Sequence, residues 1–389
     1  MDLVTNNKIC GSLSRYLIRM NTSGVLKKLN PIKGNIIVMQ LSISTKKLTH
    51  AAFPGELHLI TLTNSHGLEV LLSNYGASVW SVKLHDKEAQ PIDLSLSYKN
   101  IQDWATNPYY FGITAGRVAN RIGGAQFPLN GNTIQLTPNE SNNQLHGGPQ
   151  GLSHCLWQCE TLRYQDAVAA SFSIISPDGD QGYPGELVIK VEYRLNENNE
   201  LTIAYEAKSD QTTPVCLTNH TYWNLASDKQ NGILGHSLQL QSQHILALDA
   251  EQIPTGELIQ VENTAFDFRQ PKMILRDIHT LDNGYDHYFV MDRKDSRSSN
   301  LNVIANLVDP ISGREMEIST TELGLQFYSG NFLDGTHFDQ HDKPLTQYYG
   351  LCLETHGYPN AVNIDHFPSV ILEANNVYKQ ITVHKFKNI

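Results

Sequence analysis

The chain is predicted to be all-β, an antiparallel sandwich or barrel, and three observations carry that prediction. Two neighbouring stretches alternate with period two. Leu187, Ile189, Val191, Tyr193 and Leu195 interleave with Glu186, Lys190, Glu192 and Arg194; past a polar turn, Leu201, Ile203, Tyr205 and Ala207 alternate again. That pattern sends apolar side chains to one face of a hairpin. Short apolar runs are also separated by Gly, Pro and Asn clusters, as in Ser176-Pro177-Asp178-Gly179 and Gly182-Tyr183-Pro184-Gly185, where turns belong. Finally, no long amphipathic helix can be traced anywhere, which leaves short strands as the building material.

Composition narrows the class. The 389 residues are 40% hydrophobic and 17% charged, as expected of a soluble globular protein. A net charge of -10 argues against nucleic acid as the main partner. There is no run of about 18 apolar residues that would span a membrane. The five cysteines (Cys10, Cys155, Cys159, Cys216 and Cys352) are an odd, sparse set. They suggest reduced thiols in a cytoplasmic protein rather than a disulfide framework. Neither Cys155 and Cys159 nor His236 and His244 have the further partners a zinc site needs, so no metal is expected.

Taken in order, the first 48 residues stand apart. They hold eight basic residues and a single acid, Asp2. Three readings compete: a disordered basic tail, sequence upstream of a true start at Met39, or an organellar transit peptide. From 49 to 389 one domain is the simplest organisation, with no internal repeat. Leu57–Leu62 and Leu68–Leu72 flank Asn64-Ser65-His66-Gly67 and read as a hairpin. Asn74–Ser78 reads as a turn or bulge, and Ile101–Trp104 as a short helical turn.

Several stretches mix polar and aromatic residues in a way that core strands do not. Leu217-Thr218-Asn219-His220-Thr221-Tyr222-Trp223-Asn224-Leu225 packs an imidazole, amides and flat rings together. It suits a sugar floor beside a proton donor. It equally suits a strand end with a buried, satisfied histidine. Gly116–Gly124 is glycine-rich but lacks the order of a phosphate loop. Its Arg117, Asn120 and Arg121 suit sugar hydroxyls or a structural ion pair. His146, before Gly147 and Gly148, either touches a ligand or is solvated. Asp286, in Asn283–Phe289, either accepts bonds from a polyol or caps its turn. Glu354 ends an apolar run and reads as a desolvated base or a surface residue at a strand exit. Gln326 sits among aromatics in Leu325–Phe332. No serine nucleophile elbow and no HExxH motif occurs. One possible acid, one possible base and many hydroxyl binders suit proton shuttling on a neutral sugar.

Together these stretches resemble the aldose 1-epimerase family, also called galactose mutarotases, across nearly all of residues 55–389. The motifs are GRVANRI at 116–122, NQLHGG at 143–148, SPDGDQGYPGE at 176–186, LTNHTYWNL at 217–225 and IPTGE at 253–257. They continue with FDFR at 266–269, GYDHYF at 284–289, LQFYSGNFLDG at 325–335 and LETHGYPNAVN at 353–363. The resemblance implies a large twisted antiparallel β-sandwich, the galactose mutarotase-like supersandwich, with few short helices. It implies interconversion of the α and β anomers of free hexoses such as galactose and glucose, by ring opening and reclosure, without a cofactor. It assigns Glu354 as general base and His220 as general acid. His146, Asn120, Arg121, Asp286 and Gln326 become substrate-binding residues. His220 and Glu354 are expected to face each other across one pyranose ring, with nearby carboxylates keeping His220 protonated. Tyr222 and Trp223 either line the sugar or brace the histidine. Two other functions remain open, a hexose-6-phosphate 1-epimerase and a non-catalytic sugar-binding module, as do monomeric and homodimeric states.

Overall fold

The structure is a computed structural model that describes residues 40–85, 90–292 and 300–388. The expected all-β architecture is present. The larger layer is a nine-stranded antiparallel sheet. It runs in the order Gln158–Arg163, Ala167–Ser176, Leu187–Asn196, Glu200–Ser209, Val377–Asn388, Arg314–Thr320, Asn302–Asp309, Ser237–Leu240 and Lys272–Met273. The hairpin read from the sequence forms its centre, with Leu187 paired to Ser209 and Leu195 to Leu201. Its odd-numbered apolar residues are buried and its even-numbered partners are not, as period two requires.

Two smaller sheets pack against this layer. One has five strands in sequence order: Ser42–Leu48, Leu57–Thr63, Glu69–Ser73, Ser78–His85 and Pro91–Asp93. The other has six, in the order Tyr222–Trp223, Leu351–His356, Gly324–Tyr328, Asp286–Met291, Ser242–Leu248 and Pro254–Gln260. Side chains from all three sheets meet in one core; Ile60 and Leu72, Phe172 and Val191, Phe327 and Leu353 belong to it together. Among the described residues helix is confined to Ile101–Thr106 and Leu275–Ile278 plus short 3-10 turns. Among the described residues no helix is long and apolar enough to cross a membrane.

Ser42–Leu48, counted in the sequence with the basic extension, is a strand paired along its length with Leu57–Thr63. The folded unit therefore begins before residue 49. It reads poorly as a strand in sequence because it is a mostly exposed edge, with lysines where an edge resists further pairing. The other readings of the extension fall largely on residues 1–39, which lie outside the described residues.

The six-stranded sheet positions the site. Along Gly324–Tyr328, Leu325 and Phe327 face the sandwich core, so Gln326 and Tyr328 face outward. Along Leu351–His356, Leu351 and Leu353 face inward, so Cys352 and Glu354 face outward. Gln326 is directly opposite Glu354 across the ladder, and Tyr328 opposite both Cys352 and Asp286. The sheet's register thus sets a carboxylate, an amide and a second carboxylate side by side on one outer face.

Candidate active site

All seven residues proposed from sequence line one pocket of about 210 Å³ on that outer face: Asn120, Arg121, His146, His220, Asp286, Gln326 and Glu354. The volume lies below the ~300–1,000 Å³ of sites for drug-sized ligands and suits a single sugar. Gln326 Nε2 donates to Asp286 Oδ1 at 2.6 Å. Arg121 donates from Nε and Nη2 to Glu140 at 2.6 and 3.0 Å, and its Nη1 lies 3.9 Å from Asp286 Oδ2. Gln326, Asp286 and Arg121 are each held by a neighbour, which is what hydroxyl recognition requires.

His220 and Glu354 are both almost wholly buried, with Nε2 and Oε1 3.5 Å apart. No pyranose ring fits between them, so the expected gap is corrected to direct contact. A second correction concerns charge. Burial pushes the His220 imidazole down to about 4 and the buried Glu354 carboxyl well above its usual range, with Asp286 adding to the rise and Arg121 opposing it. Neighbouring carboxylates do not hold His220 protonated in the free pocket. Desolvation disfavours the charged form of both groups, so the uncharged arrangement is favoured in the free pocket.

Each nitrogen of these histidines has an assigned task. His220 Nδ1 faces Cys352 Sγ at 3.5 Å, which directs Nε2 at Glu354. His146 Nδ1 accepts the Asn120 backbone N–H at 3.3 Å, so the ring proton sits on Nε2. Burial keeps that imidazole neutral. The donor atoms of His146, His220 and Glu354 lie within 4.8 Å of one another, close enough to suggest a metal. The His146 tautomer argues against one, because a nitrogen carrying a proton has no lone pair to give. His146 is a neutral hydrogen-bond donor instead. Gly147 has a structural reason to follow it: at φ 86° a Cβ there would lie 1.8 Å from the Gly116 carbonyl oxygen.

The alternatives left open in the sequence resolve individually. Tyr222 lines the pocket and stacks beside His220, with ring centroids 5.2 Å apart. Trp223 faces the core, against His384 and Phe386. Glu354 lies within its strand rather than at its exit, since Leu351–His356 continues two residues further. Both readings fall on Arg121, which lines the pocket and pairs with Glu140, whereas Arg117 does neither. Arg117 is buried and donates to Ser176 Oγ and to the carbonyls of Ser176, Pro177, Pro184 and Gly185 at 2.7–3.1 Å. Arg117→Met should be destabilising, at about 1–3 kcal/mol for a buried acceptor left without its donor; a loss under about 1 kcal/mol in urea denaturation would contradict this role.

Further residues complete the walls, of which Tyr109, Tyr110 and Glu140 were not singled out in the sequence. Tyr110 lies over both histidines, with centroids 4.9 Å from His146 and 6.0 Å from His220. Tyr109, Tyr328 and Phe332 also line the pocket. The Pro108–Gly112 run, with three aromatics between Pro and Gly, carried a signal. Glu140 carried none: its role is visible only through Arg121.

A sandwich that holds a contacting imidazole–carboxyl pair among hydroxyl-binding groups defines a sugar-binding protein equipped for proton transfer. Comparison with known proteins agrees. The family model described as aldose 1-epimerase matches residues 58–385. A galactose mutarotase of Sus scrofa is 38% identical over 82% of this chain and 91% of that protein. An aldose 1-epimerase of Escherichia coli K12 is 33% identical over 84% of this chain and 94% of that one. Among solved structures, an aldose epimerase homologue from C. elegans superposes with a TM-score of 0.76 at 30% identity, covering 85% of this chain and 99% of its own. The chain belongs to the aldose 1-epimerase family, and its fold is the galactose mutarotase sandwich.

Proposed function

We propose that the chain interconverts the anomers of free hexoses, galactose and glucose among them, with His220 and Glu354 transferring the protons. The observation that supports this best is their 3.5 Å contact at the floor of the pocket. Glu354 as carboxylate takes the proton of the anomeric hydroxyl while His220 as imidazolium protonates the ring oxygen. The C1–O bond to the ring breaks, the C1–C2 bond rotates, and closure on the other face runs the transfers backwards. The imidazole thus carries the proton with the cyclic sugar, and the carboxyl carries one with the open chain. Sugar hydroxyls on the carboxylate, with Arg121 behind it, supply the stabilisation that the charged arrangement lacks in the free pocket. No step calls for a cofactor.

Arg121, Asn120, His146, Asp286 and Gln326 orient the ring. A free sugar is favoured over a sugar phosphate because Arg121 is the one Arg or Lys among the described lining residues, and Glu140 already engages it. The four described cysteines are free thiols, which suits a reducing compartment such as the cytoplasm. Polarimetry of freshly dissolved α-galactose and α-glucose tests the activity directly; tight sugar binding with no rate enhancement would instead support a binding module. Asp286→Asn should raise KM roughly 10- to 100-fold, the worth of one charged hydrogen bond. An unchanged KM would remove Asp286 from the substrate contacts.

A further inference from the structure

Away from the sugar pocket, the edge strand Gln158–Arg163 of the nine-stranded sheet meets the strand Leu57–Thr63 of the five-stranded sheet. There a thiol, an imidazole and a carboxylate stand in line. His58 Nδ1 is 3.1 Å from Cys159 Sγ, and His58 Nε2 is 2.9 Å from Glu56 Oε1. Lys47, paired with His58 across the sheet, holds the same Glu56 oxygen at 2.8 Å. The Glu56 carboxyl is held below its usual range by Lys47 first and His58 second, so it accepts rather than donates. The Nε2 proton therefore belongs to the Glu56 bond, and the Nδ1 lone pair is presented to the Cys159 thiol. The order is nucleophile, base and orienting carboxylate.

We propose that Cys159 is a thiol-exchange site, activated by His58 as base, that takes low-molecular-weight disulfides. Burial raises the Cys159 thiol, so it rests protonated and needs the base at the moment of attack. Cys159 Sγ attacks one sulfur of the disulfide while its proton passes to His58 Nδ1. The disulfide's S–S bond breaks, a new S–S bond joins Cys159 to half of the reagent, and the leaving thiolate takes the proton from His58. Glu56 holds the transient imidazolium. The disulfide is reduced to a thiol as Cys159 is oxidised, and no other reactant is needed.

Cys155 provides an internal control. It is also half-buried, but its thiol donates to the Gly151 carbonyl instead of facing an imidazole. The protein is incubated with oxidised glutathione and the adducts are mapped and timed by mass spectrometry. Cys159 should react at least about tenfold faster than Cys155, and His58→Asn should remove about that factor at Cys159 while leaving the Cys155 rate unchanged. The unchanged Cys155 rate shows that the variant is folded, and Glu56→Gln should give a smaller loss in the same direction. Equal rates at the two cysteines in the natural protein would overturn the proposal. So would a Cys159 rate that His58→Asn does not alter.

Discussion

Replacing Glu354 with Gln is expected to lower kcat roughly 10²–10⁴-fold, the usual worth of a positioned acid or base. The substitution keeps the shape of the side chain and its place opposite Gln326. It removes only the ability to take a proton, so KM should change little. His220→Asn should cause a loss of similar size. The two groups face each other at 3.5 Å and are proposed to act on the same ring-opening step, so the two losses should not add: the double variant should be about as slow as the slower single one. Polarimetric rates on α-galactose, fitted for kcat and KM separately, check this. Full rate in Glu354→Gln would exclude the assigned base, and additive losses would show that the two groups act independently.

The second large effect is on stability in acid. Burial pushes the imidazoles of His220, His236, His287, His356 and His384 down to about 4. In the unfolded chain each returns to about 6.5. Between those values the unfolded chain binds the protons and the folded one does not, so stability is full above pH ~6.5 and falls as pH drops toward 4. A shift of that size amounts to roughly 3 kcal/mol per histidine, and total stability is typically only about 5–15 kcal/mol. Glu354 and Asp286, raised in the fold, act in the opposite direction and offset part of the loss. The protein is expected to unfold before pH 4. Among the described residues His356 Nε2 and His384 Nδ1 have no hydrogen-bond partner, so a proton arriving there would be buried without an acceptor. Urea midpoints between pH 7 and 5 should fall steadily, and His384→Leu should flatten the slope. A midpoint constant over that range would refute the account.

How far the residues could be read in advance depended on the range of the interaction that fixes each. The central hairpin was legible because alternation at Leu187–Leu195 reports burial on one face, a property of each strand by itself. Ser42–Leu48 was not, because an exposed edge has no apolar stripe to read. His220 and Glu354 are brought together by the pairing of Tyr222–Trp223 with Leu351–His356. Local sequence left both ambiguous, and only the ordered set of motifs singled them out. Their protonation was misjudged for the same reason: the dominant influence is desolvation by the surrounding fold, which neighbouring residues in sequence do not disclose. Glu140 and Tyr110 act only through Arg121 and the two histidines.

The strict alternation along Gly324–Tyr328 and Leu351–His356 has a consequence for any preparation of this protein. A slip of one residue between these strands would turn Glu354 and Gln326 into the hydrophobic interior and bring Phe327 and Leu353 out to water. Misregistered molecules would thus be inactive as well as unstable. Turnover per molecule therefore works as a proofreading gauge: after refolding, specific activity should count correctly aligned chains, whereas circular dichroism would also count the misaligned β-structure.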